Sequence, residues 1–135
     1  MQTTIDEKAR SGIGAHERRW WQLEADHHLV DEKGRKVTGY AVIWEFRPEE
    51  TSRWARESGV PFDGKRFELR IHARRDGQHF AAIHSARFFE SVDGALKAAR
   101  KSLLDQGKRY ARKYAGKQDR PRQISTSIGE PNQKV

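Results

Sequence analysis

Cations and imidazoles alternate along two neighbouring stretches of this chain: Arg70, His72 and Arg74 precede Asp76-Gly77, and His79 and Arg87 follow it. Asp-Gly between two alternating runs is a strong signal for a two-residue hairpin, because a type I′ turn needs positive φ at both central positions. A turn of that kind pairs Arg75 with Gln78 and puts Glu68, Arg70, His72, Arg74, His79, Ile83, Ser85 and Arg87 on one face. The other face then holds Phe67, Leu69, Ile71, Ala73, Phe80, Ala82, Ala86 and Phe88, and belongs on a core. On the polar face arginines suit phosphate oxygens, while histidines donate hydrogen bonds or stack on planar rings. The plain alternative is the solvated face that every one-sided antiparallel sheet carries.

A second group lies on the element that follows. Ser91 is a plausible N-cap for a helix from about Val92 to Ala115, with Gly116 as its stop. Val92, Leu96, Ala99, Leu103, Tyr110 and Tyr114 fall near one stripe at helical spacing, and the stripe is expected to pack inward. Lys97, Arg100, Lys101, Lys108, Arg109, Arg112 and Lys113 cover much of the rest, accompanied only by Asp93 and Asp105. Without many i,i+4 partners such like charges repel, a local cost that an anionic ligand relieves. A charge run on a helix is more usually a solvated face. Gly107 reads as a weak point at which the helix frays or bends.

Tyr40, Trp44 and Phe46 stand on one face of a strand with Val42. On a binding sheet these rings would form a stacking platform; in a chain poor in aliphatics they are expected to be core. Trp20 and Trp21 point to opposite faces of their strand. Six histidines raise the question of a metal, but no HExxH spacing and no cysteine accompanies them. No metal, cofactor or catalytic residue is expected: there is no P-loop, GxGxxG or nucleophile elbow. A nuclease using His72 or His79 as general base has only composition behind it.

The elements that must position these groups follow from apolar period. Trp20 to Val30 reads as a strand, DEKG at 31–34 as a turn, and Val37 to Arg47 as a second strand. Pro48 opens a short helix, closed by Gly59 and Pro61. The hairpin strands and the long helix complete the order. The expected fold is α+β: an antiparallel sheet of about four strands, the C-terminal helix on its apolar face, and the short helix between strands 2 and 3. Residues 1–17 are expected as a flexible arm, 18–116 as the single domain and 117–135 as a flexible basic tail. In element order alone the chain is similar to the Whirly type of single-stranded DNA-binding protein and, over its last three elements, to strand-rich DNA-reading modules of integrases.

Charge is divided unevenly along this order. Residues 1–34 carry 5 Lys/Arg against 7 Asp/Glu, residues 35–64 carry 5 against 5, and residues 65–135 carry 17 against 7. The whole excess of +8 therefore lies in the second half. A one-sided cationic surface attracts polyphosphate through counterion release, whatever the base sequence. The expected function is non-enzymatic binding of nucleic acid, single strands slightly ahead of duplex, by the sheet face and the helix together. A module docking on an acidic protein is the alternative from another class. A homodimer is plausible because a short sheet has edges to cover. No stretch approaches the ~18 apolar residues of a membrane span, so the expected location is cytoplasmic, away from membranes.

Overall fold

Odd-numbered residues from Leu23 to Ile43, and again from Phe67 to Ala73, are mostly apolar, and this period of two gives a sheet one dry face. A computed structural model describes residues 2–6, 8–46, 66–82 and 87–118, without the side chains of residues 80–82, 117 and 118. Its strands are β1 (Thr4–Ile5), β2 (Arg10–Ile13), β3 (Arg19–Val30), β4 (Lys36–Glu45), β5 (Phe67–Arg75), β6 (Gln78–Ala82) and β7 (Arg87–Phe89). They are followed by helices α1 (Val92–Lys113) and α2 (Ala115–Gln118). All pairings are antiparallel. The long strands β3, β4 and β5 form the centre; β1 and β2 share the outer edge of β3, and β6 and β7 share the outer edge of β5. The fold is α+β, an open antiparallel sheet with one long C-terminal helix. The short helix expected after Pro48 lies outside the described residues.

Two turns form as their residues dictate. Asp76 (φ 50°) and Gly77 (φ 80°) are both left-handed, which is the type I′ requirement, and Gly34 (φ 77°) closes the turn between β3 and β4. Thr4–Ile5 and Arg10–Ile13, expected within a flexible arm, instead add two short strands to the sheet edge. Gly12 and Gly14 let that segment lie against tryptophan: an added Cβ would stand 2.8 Å from the Trp20 ring and 3.0 Å from the Trp44 ring.

Helix α1 starts as its sequence implies, Ser91 Oγ accepting from Gly94 N at 3.1 Å. It ends earlier than expected. Tyr114 is the C-cap, buried against Leu29 and Val37, and Gly116 falls inside α2 rather than stopping the helix. Ala95, Ala99 and Leu103 are buried against Leu23, Ala41, Ile43, Leu69 and Ile71. Those five sheet residues are all odd-numbered, so α1 lies on the odd face. Tyr40, Val42 and Trp44 face away from it, which overturns the expectation that the aromatic ladder is core. The reason is bulk. Gly39 and Ala41 let a helix approach, and Tyr40 and Trp44 would hold it off.

Gly107 is likewise a point of closest approach. His27 Nε2 donates to Gln106 Oε1 at 2.6 Å, leaving Nδ1 to accept from the Thr3 hydroxyl at 2.8 Å; Gln106 Nε2 donates to the His72 carbonyl at 3.3 Å. This buried polar chain is fully used. A Cβ on Gly107 would meet Thr3 Oγ1 at 1.9 Å and His27 Nδ1 at 2.8 Å. Gly107→Ala should therefore destabilise by about 1–3 kcal/mol through overpacking, although helix propensity alone favours alanine by about 1 kcal/mol. Urea unfolding of the variant checks the sign; a stabilised variant would contradict the packing.

Burial pushes the His27 imidazole below its ordinary range, more than the Gln106 bond and Asp26 raise it. His72 is lowered by burial first and then by His79, Arg70 and Arg74. In both cases the unfolded chain binds the proton more readily. Their contribution to stability is thus complete above the unfolded value of about 6.5 and declines as pH falls towards the lower folded values. The urea midpoint should drop between pH 8 and pH 5.5. An unchanged midpoint would count against neutral imidazoles at His27 and His72.

Candidate nucleic-acid interface

The even-numbered residues build the face away from α1. Cross-strand register sets Glu24, Tyr40 and His72 in one row, Trp20, Trp44 and Glu68 in another, and Thr38 beside Arg74. Arg70, His72, Arg74 and His79 share this face, as their alternation implies. Tyr40 and His72 stack with ring centroids 4.7 Å apart, and the Arg74 guanidinium lies 4.0 Å from the Tyr40 centroid. His72 Nδ1 is 3.2 Å from His79 Nε2. The result is a column, Arg74–Tyr40–His72–His79, whose outer ring, His79, is exposed.

Arg87 does not belong to this face. The pairs Arg75–Gln78 and Arg74–His79 follow the expected register, but a bulge then sets Ala73 opposite Ala81, and β7 pairs Leu69 with Arg87. Arg87 is thereby turned to the helix side, where Nη2 donates to Ser102 Oγ at 3.2 Å. The same slip sets Phe88 opposite Glu68 and Phe89 opposite Phe67, so Phe89 joins the core where Phe88 was expected. Ile83, Ser85 and Ala86 lie outside the described residues.

The second surface is the outside of α1. Lys97, Arg100, Lys101, Lys108, Arg109, Arg112 and Lys113 are all exposed. Lys97, Lys101, Lys108 and Arg112 fall within an arc of roughly 60° and span about 22 Å of helix. None of the seven forms an ion pair among the described residues. The sheet cations differ in this respect: Arg74 Nη1 lies 2.6 Å from Glu24 Oε1, and Arg70 Nη2 lies 3.2 Å from Glu68 Oε2. The twelve expected residues therefore form two surfaces on opposite sides of the sheet, as the two groups in the sequence imply: one is partly neutralised and ring-lined, the other is cationic and without ion pairs among the described residues, and Arg87 lies on the helix side.

One contributor had no local signal in the sequence. Arg18 follows the 3-10 turn Ala15–Glu17 and lies over the Phe46 ring, 4.8 Å from its centroid. With Ala15, Val42, Trp44, Glu68 and Arg70, these residues line a groove of about 340 Å3 on the even face, next to His72. Among the described residues no three His, Asp or Glu side chains are placed to hold a metal ion, and no helix is long and apolar enough to cross a membrane. No protein-family profile, curated protein or solved structure matches the chain.

Proposed function

We propose that the protein binds single-stranded nucleic acid without transforming it. The observation that carries this reading is the cation row on α1, which forms no ion pair with any described residue. Lys97 and Lys101, and Lys108 and Arg112, are i,i+4 pairs of like charge, which isolated helices avoid. A polyanion relieves that repulsion and gains entropy by releasing its counterions. Single strands are favoured because the cations and the ring-lined groove lie on opposite sides of the sheet. A duplex has a persistence length of about 50 nm and touches one side only, whereas a single strand can pass round a sheet edge. His72 and His79 serve here as ring and hydrogen-bond surface.

The test is fluorescence anisotropy of labelled single- and double-stranded oligonucleotides over a range of salt concentrations. Tighter binding of the single strand, weakening steeply as salt rises, is the expected result. No binding of either at low salt would overturn the reading and make an acidic protein surface the partner to seek.

A further inference from the structure

We infer that the groove beside Trp44 receives one unstacked guanine base of the bound strand; this rests on the single-strand reading above. The decisive group is Glu68. It is only 4% exposed, yet it lies on the even face of β5 rather than in the odd-face core, and it is among the residues that line the groove. Burying a carboxylate is costly unless it is paired. Its partner, Arg70, bonds from one side at 3.2 Å, and that side chain is itself 48% exposed.

A carboxylate only accepts hydrogen bonds, so it selects for donors. Guanine presents two adjacent donors on its Watson–Crick edge, N1–H and the N2 amino group. Adenine and cytosine each set one amino donor beside a ring acceptor, and thymine sets N3–H between two carbonyls. Two carboxylate oxygens therefore match guanine alone. Arg70 stands beside Glu68, where a guanidinium can donate to guanine O6 or to the adjoining phosphate. Trp44 and Phe46 line the same groove and supply apolar area for a planar ring. At about 340 Å3 the space falls at the lower end of small-ligand pockets, the size for one base and not a base pair.

The experiment compares three twelve-nucleotide single strands on the wild-type protein: all thymidine, the same with one central deoxyguanosine, and the same with deoxyinosine there. Inosine keeps N1–H and lacks the N2 amino group. The expected result is about tenfold tighter binding of the guanosine strand than of the thymidine strand, with most of the gain lost for inosine. Glu68→Gln should abolish the preference for the guanosine strand, while the freed Arg70 keeps or strengthens binding of the thymidine strand. Equal, salt-dependent binding of all three strands by the wild-type protein would overturn the guanine inference and leave single-strand binding standing. No binding of any strand would overturn both. The inosine comparison needs no variant, so it decides even where Glu68→Gln fails to fold.

Discussion

Replacing Lys97, Lys101, Lys108 and Arg112 together with glutamine is expected to weaken single-strand binding by two to three orders of magnitude at about 0.1 M salt. Each phosphate contact with a single strand contributes about 0.7 to the slope of log K against log salt, so four lost contacts should flatten that slope by about 3. The size of the effect follows from the lack of ion pairs on this row: no described carboxylate lies within ion-pair distance of it. The same substitution should leave the fold intact. Glutamine is a good helix former, and four exposed like charges are removed from one face. Removing Arg70 and Arg74 should cost less affinity, because Glu68 and Glu24 already engage them. A quadruple variant that keeps its affinity and slope would remove α1 from the interface.

Asp31→Ala is expected to destabilise the protein by about 3 kcal/mol, the cost of leaving two backbone amides and the half-buried Arg75 guanidinium without their acceptor. The Asp31 side chain is fully buried at the turn between β3 and β4. Its Oδ1 accepts from Lys33 N and Arg35 N, both at 2.9 Å, and its Oδ2 accepts from Arg35 Nε at 2.9 Å. Arg75 Nε lies 3.3 Å from the same oxygen, and Arg75 Nη2 donates to the Tyr114 hydroxyl at 2.6 Å. One carboxylate thus ties a turn, the end of β5 and the C-cap of α1. Burial pushes its carboxyl up, but the backbone donors at Arg35 and Lys33 with the Arg35 guanidinium together hold it below its ordinary range. The stability it contributes is complete above the unfolded value near 3.9 and is lost as pH falls through the lower folded value. Asp31→Asn keeps an acceptor for the two backbone amides and loses the charge, so it should fall between wild type and Asp31→Ala. Urea unfolding at pH 7 measures all three. Equal midpoints would show the cluster to be peripheral.

What the sequence disclosed and what it withheld divide along a physical line. Local signals read correctly: the alternation of β3, β4 and β5, the Asp76-Gly77 turn, the Ser91 cap and the outward set of cations on α1. Each depends on residues within a few positions of one another. The misreadings came from where backbones deviate or layers choose sides. The bulge between Ala73 and Arg74 has no side-chain signature, yet it carries Arg87 and Phe88 each to the other face. Alternation places Tyr40, Val42 and Trp44 together but does not tell which face the helix takes; the small residues Gly39 and Ala41 decide that. Gly107, a weak point by propensity, is where the His27 chain needs room. Arg18 sits at the turn by which Arg10–Ile13 fold back along β3, a pairing between short segments with no period to read.

The most direct measurement is a heteronuclear NMR titration of the labelled protein with a thymidine twelve-mer at low salt. The expected result is simultaneous shifts, saturating at one stoichiometry, on the even face at Tyr40, Arg70 and His72 and on α1 at Lys97, Lys101, Lys108 and Arg112. A spectrum that does not move, or moves on one side of the sheet only, would contradict a single strand held by both surfaces.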